Sequence, residues 1–329
     1  MLSALLDHGG FVVAGRLSCV KVRTEMNAAG LAQAFYAALG DRRARWMGSI
    51  LSVAAILLIC RTLYLERGRL AQVDPDRDLL VAATVSVLVV VLGNLLGSTA
   101  SWLLLRKQAV TLTFPFLVAV NGIAQMAKYL PGNVAHLVGR FFVIKHHTDA
   151  RAALAFSIYE LLLLSLAGCG LGLFYVHFVQ RETLALFPVA LLSLLFLGAG
   201  VLVLLRAGFL KTSLADLSLA VMLYLVSYLC YGLAFSTLFQ LVFDVKAADI
   251  FLCAVLFALA FVAGYVTPGA PGGLGVREFV FMVLAQPFID TTLAVSVVVM
   301  FRLFSVAGDL VFSIAALSIK KVFDVKLLP

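Results

Sequence analysis

The chain has 329 residues, of which 63% are hydrophobic and 13% charged. That balance excludes a soluble domain and defines a polytopic helical membrane protein. The formal net charge of +8 is assigned to basic loops that hold helices in one orientation, with no nucleic-acid partner implied.

Residues 1–45 open with a weak apolar stretch interrupted by Asp7, His8, Gly9 and Gly10. No small-residue cleavage site follows, so this is not read as a signal peptide. A short interfacial helix is expected over 27–39, leading into the basic cluster Arg42, Arg43 and Arg45. Such a cluster stays on the cytoplasmic side, which makes 1–45 a cytoplasmic N-terminal segment. Apolar segments long enough to cross a bilayer follow at 46–65, 79–105, 152–179, 184–205, 216–243 and 291–317. Two further segments, 114–144 and 250–286, are apolar but broken by Pro-Gly pairs, and are read as re-entrant helical hairpins.

The loops agree with that count. The acidic run Asp74, Asp76 and Asp78 lies outside, while Arg106, Lys107, Lys145 and Arg151 lie inside. Residues 180–183 are outside, Arg206 and Lys211 inside, and 244–249 outside again. The second hairpin then enters from the outer face, and the tail 319–329, with Lys320, Lys321 and Lys326, ends in the cytoplasm.

The two breaks share a skeleton. Lys128-Tyr129-Leu130-Pro131-Gly132-Asn133 continues through His136 to Arg140, and the second break runs from Pro268-Gly269 through Gly272 and Gly273 to Arg277. In both, Pro-Gly is followed by Leu six residues after the proline and Arg nine after it, and the two prolines are 137 positions apart. The same shift carries 46–65 to 183–202, 79–105 to 216–242, 114–144 to 251–281 and 152–179 to 289–316, which coincide with the spans 184–205 and 216–243, the second hairpin and the span 291–317. Since one half begins inside and the other outside, the fold class is an all-α membrane protein with six full spans and two re-entrant hairpins in an inverted-topology repeat. The repeats are 46–179 and 184–318.

A Pro-Gly pair ends a helix, and a helix restarted within the membrane presents unpaired N–H groups and a positive dipole end. Asn133 is positioned to cap the first restart, and Gly269, Gly272 and Gly273 permit close approach at the second. An anion suits such a place. Lys128, Arg140, Arg277 and Arg302 stand in the apolar region against Glu160, Glu278 and Asp309. Buried charges pair where they can, so Arg277 is expected with Glu278 or Asp309, and Lys128 or Arg140 with Glu160. The excess of one cation suits a phosphate headgroup. His136 is a further candidate contact; Glu160 and Asp309, on full spans, are candidates for ion coupling. Tyr224, Tyr228 and Tyr231 recur at helical spacing and read more simply as one packed face than as a headgroup cage. Cys19, Cys60, Cys169, Cys230 and Cys253 form no CxxC pair, and His146-His147 is assigned no metal. No cofactor is expected. No H-E-x-x-H, G-x-S-x-G, paired-aspartate metal signature or P-loop is present, so an enzyme is disfavoured.

The motifs Lys-Tyr-Leu-Pro-Gly-Asn-Val (128–134) with Arg140, and Pro-Gly-Gly-Leu-Gly-Val-Arg-Glu (271–278), resemble the lysylphosphatidylglycerol synthase transmembrane family. The resemblance covers roughly 45–320. It implies re-entrant hairpins, a lipid-translocating role in a bacterial-type cytoplasmic (inner) membrane, and functional positions at Lys128, Tyr129, Pro131, Gly132, Asn133, Arg140, Gly272, Gly273, Arg277 and Glu278. Two-domain members carry a soluble aminoacyl-transferring domain; this chain ends at Pro329, and lipid synthesis is not expected of it. The expected function is a flippase for lipids with phosphate headgroups, working beside a separate lipid- or glycolipid-synthesising enzyme. The alternatives are a membrane enzyme, or enzyme partner, acting on a lipid-linked sugar, and a non-transporting scaffold that binds anionic lipid.

Overall fold

The computed structural model describes residues 64, 76–127, 135–175, 186–245, 249–267, 273 and 275–323. Nine α-helices and no strand occur among them: α1 (Arg77–Leu105), α2 (Phe114–Ala127), α3 (Ala135–Lys145), α4 (Ala150–Gly172), α5 (Leu186–Ala207), α6 (Leu214–Thr237), α7 (Ile250–Val266), α8 (Val276–Ala285) and α9 (Thr291–Val322). A π-helical turn, Leu238–Val242, prolongs α6. Residues 1–63, and with them the expected interfacial helix and all of the span 46–65 except Tyr64, lie outside the described residues, as do residues 128–134 and the tail beyond Phe323.

Four of the helical stretches, α1, α4, α6 with its π turn, and α9, are long and apolar enough to cross a membrane. Their 23 to 32 residues give roughly 34 to 48 Å of helix, against a hydrocarbon core of about 30 Å. The chain is therefore a multi-pass membrane protein. The expected spans 79–105, 152–179, 216–243 and 291–317 fall on these four, and 184–205 falls on α5. The segments 114–144 and 250–286 each divide into two short helices, α2 with α3 and α7 with α8. At 10 to 17 residues each, these reach only about 15 to 26 Å.

Helix starts are set by short polar side chains. Asp76, Asp149, Asp249 and Asp290 accept hydrogen bonds from the first free N–H groups of α1, α4, α7 and α9. Ser213 and Asp216 cap α6 reciprocally. Within the apolar helices, several hydroxyls donate to the backbone one turn earlier, as Ser86 does to the carbonyl of Ala82 at 2.7 Å, which satisfies the donor inside its own helix.

The bundle is built on α1 against α6, with α9 packed on α1 and α2, α4 on α6 and α7, and α6 on α7. Small residues let these backbones close up. A Cβ built on Gly122 of α2 would lie 2.2 Å from that of Ala316 in α9. One built on Gly232 of α6 would lie 2.4 Å from the carbonyl oxygen of Ile250, at the start of α7. The burial pattern is inverted relative to a water-soluble helix. Ser296, Ser305, Asp309 and Ser313 of α9 are buried while Leu303, Leu310, Ile314 and Leu317 are exposed, which is the arrangement for a helix whose outside is lipid and whose inside is polar. At one end of the bundle, Asp216 at the start of α6 binds both Arg106, just past the end of α1, and Lys107, whose Nζ is 2.6 Å away.

Candidate anion site in the bundle interior

Every helix except α5 contributes to the wall of one cavity of about 230 Å3. Three arginines and three carboxylates line it: Arg140, Arg277 and Arg302, with Glu160, Glu278 and Asp309. Arg140 and Arg277, which hold the same register in the two sequence motifs, thus face a shared space.

Their surroundings differ. Arg140 Nη1 lies 2.8 Å from Glu160 Oε2, and Nη2 lies 2.8 Å from Oε1, a two-pronged pair between α3 and α4. The hydroxyl of Ser101, from α1, lies 3.0 Å from Oε1 and 3.3 Å from Arg140 Nη2. Asn121 of α2 donates to Ser98 and Ser101, tying the pair to both neighbouring helices.

Arg277 sits in the first turn of α8. Its guanidinium lies over the ring of Phe261 in α7, 3.9 Å from the centroid. Its Nε has no hydrogen-bond partner, and no described carboxylate forms an ion pair with it. The backbone is shaped around this side chain. A Cβ on Gly264 would lie 2.2 Å from Arg277 Cγ. Gly273, at φ +71°, would place one 2.7 Å from Arg277 Nε. Of the glycines expected to allow close approach, Gly273 therefore makes room for the chain's own arginine; Gly269 and Gly272 lie outside the described residues.

Glu278 does not pair with the adjacent Arg277. Its Oε1 binds Nε of Arg302 in α9, and its Oε2 accepts from the Gly275 N–H at 2.7 Å, where φ is +83°. It is at once the cap of α8 and the tether of α8 to α9. Asp309 likewise is not with Arg277. It accepts from Asn94 Nδ2 at 2.8 Å, and Asn94 Oδ1 accepts from Gln125 Nε2 at 2.7 Å, a chain that joins α9, α1 and α2.

Lys128, Tyr129, Pro131, Gly132, Asn133 and Pro268 lie outside the described residues, as does the side chain of His136. Tyr224, Tyr228 and Tyr231 line the cavity. Tyr228 donates to the Leu164 carbonyl at 3.1 Å, Tyr231 stacks on Phe257 at 4.5 Å, and the Tyr224 hydroxyl is buried without a partner. Tyr265 of α7, Asn94, Ser101, Asn121 and Gln125 were not singled out from the sequence. Their signal was there for the α1 group: Asn94, Ser98 and Ser101 recur at helical spacing in a run that apart from Thr99 is otherwise apolar or glycine. His147 packs its ring against Phe116, and no metal-ligating group of three forms among the described residues. Compared with known proteins, the chain matches no family model and no curated protein.

Proposed function

We propose that the protein is a lipid flippase that moves a phosphate-headgroup lipid between leaflets by alternating access. The observation that carries this reading is the meeting of Arg140 and Arg277, 137 positions apart in sequence, in one interior cavity. A positive group in an apolar interior needs an anion. Arg277 forms no ion pair with a described carboxylate, Glu278 being bound to Arg302, and the anion accessible to a cavity inside a membrane bundle is a headgroup whose tails stay in lipid.

The proposal includes the finer architecture: 114–144 and 250–286 as re-entrant hairpins, six full spans, and two repeats of opposite topology with both termini in the cytoplasm. The packing pairs support it, since the 137-residue shift exchanges them. α2 on α9 becomes α7 on α4, α1 on α9 becomes α6 on α4, α1 on α2 becomes α6 on α7, and α3 on α4 becomes α8 on α9. Arg140 serves the inner half of the path and Arg277 the outer, and rocking one repeat against the other passes the headgroup between them. The resemblance of the two Pro-Gly motifs to the lysylphosphatidylglycerol synthase transmembrane family points the same way.

The test is lipid sidedness in proteoliposomes, using headgroup-labelled phosphatidylglycerol and a membrane-impermeant quencher. The native protein is expected to expose inner-leaflet label, and the rate is expected to fall at least tenfold in Arg277→Ala, which remains folded, and in Arg140→Ala made together with Glu160→Gln, so that no buried carboxylate is stranded. A new lipid product would mean an enzyme. Binding without a change of sidedness, for this lipid and for a polyprenyl phosphate, would mean a scaffold.

A further inference from the structure

The two arginines that hold equivalent positions differ in one respect that bears on how a headgroup passes between them. On Arg140, both terminal nitrogens are already occupied by the two oxygens of Glu160, each at 2.8 Å. A phosphate would engage a guanidinium by this same two-pronged geometry. On Arg277, that place holds no described carboxylate. Glu160 also has no repeat counterpart, because the 137-residue shift carries it onto Val297, a fully buried apolar residue of α9.

Glu160 is 7% exposed. The groups that face it from the packed elements are Arg140 of α3, the Ser101 hydroxyl of α1, and the phenols of Tyr224 in α6 and Tyr265 in α7. Arg140 is the one cation among these. A headgroup phosphate that took Arg140 would leave the Glu160 carboxylate buried with neutral donors at best, beside an incoming negative charge. The carboxylate would lose its buried counter-charge and gain a neighbour of its own sign.

We propose that Glu160 is a resident competitor for the headgroup at Arg140, and that a headgroup occupies Arg140 only when Glu160 takes up a proton. The inference rests on the flippase reading, in that it places an anionic headgroup in the cavity. The balance of the step is simple. The carboxylate gains one proton from water and becomes a neutral acid, Arg140 keeps its charge and exchanges two carboxylate oxygens for two phosphate oxygens, and the departure of the headgroup returns the proton. No bond to carbon or phosphorus is made or broken. The proton is thus bound as each lipid reaches Arg140 and released as it leaves, so none is consumed, and it moves with the cargo where uptake and release open to opposite faces.

The experiment measures equilibrium binding of headgroup-labelled phosphatidylglycerol to the full chain in phosphatidylcholine nanodiscs, between about pH 5.5 and 8, together with proton uptake in weak buffer. One proton bound per lipid at Arg140 makes affinity at that site rise by about tenfold per pH unit on acidification, whereas Arg277, with no described carboxylate in that place, takes a headgroup without a proton. Proton uptake by Arg277→Ala should approach one per lipid at the alkaline end. Glu160→Gln should bind at least as tightly as the acidified native protein and independently of pH. Arg277→Ala, in which Arg140 is the remaining site, should keep the full pH dependence. Binding by Arg277→Ala that does not change with pH, absence of proton uptake by that variant, or no saturable binding by it at pH 5.5 would each overturn the proposal, whether or not Glu160→Gln folds. PH-linked binding without any change of lipid sidedness in proteoliposomes would sink the flippase reading alone.

Discussion

At the scale of single residues, the ion pairs of the cavity follow from helix geometry rather than from sequence proximity. Arg277 and Glu278 are adjacent, and adjacent side chains on a helix point about 100° apart, so they do not pair. Glu278 reaches Arg302, 24 residues on, and Arg277 is left on the face that meets Phe261. The sequence shows which charges lie in the apolar region but not which way each one points. Losing one partner of a buried pair strands the other, at about 3–5 kcal/mol. Arg302→Ala should therefore lower the thermal stability of the detergent-solubilised protein sharply, because Glu278 also caps α8. Arg277→Ala removes an arginine with no described ion-pair partner and should change Tm little while reducing lipid translocation. Equal losses of Tm in the two variants would assign Arg277 a structural role. The tyrosines teach a related lesson: Tyr224, Tyr228 and Tyr231 share one helix face, and that spacing reads the same whether the face meets packed side chains or a cavity.

At the scale of elements, the described spans were legible because long apolar runs admit few alternatives, and the two breaks were legible because Pro-Gly interrupts a helix wherever it falls. Less legible was the extent of α9, which continues to Val322, beyond the apolar run that ended its expected span at 317. Its last turn carries Lys320 and Lys321, which favour a helix C-terminus. How closely the helices approach was not legible at all, since the role of a glycine depends on what stands opposite it. Gly232 faces the first backbone carbonyl of α7 and Ala254 within it, so Gly232→Val forces α6 and α7 apart. We expect a loss of about 2–4 kcal/mol, measured as a lower yield of monodisperse protein and a lower Tm. Gly97, with nothing within 4 Å of its built Cβ, should accept alanine with no change in either measurement.

At the scale of the whole molecule, the topology makes a prediction that labelling checks. In a chain whose native cysteines have been replaced, single cysteines at Gln108 and Lys145 should react with a membrane-impermeant maleimide from the same face, because 114–144 enters and leaves on one side. A cysteine at Thr291 should react from the opposite face. Labelling of the first two positions from opposite faces would make 114–144 a full crossing and reverse every later loop. The polar interior of α9 has a further consequence, which concerns assembly in the membrane. Arg302 and Asp309 each carry a penalty of roughly 2.5–3.5 kcal/mol for entering a bilayer on a lone helix. Among the groups that relieve them, Glu278 for Arg302 and Asn94 for Asp309 precede α9 in the chain, as does the Gly122 carbonyl that receives Ser313. When α9 leaves the ribosome these partners have already been made, so a helix ill suited to lipid by itself is inserted last among those described, into a bundle that already holds groups to neutralise it.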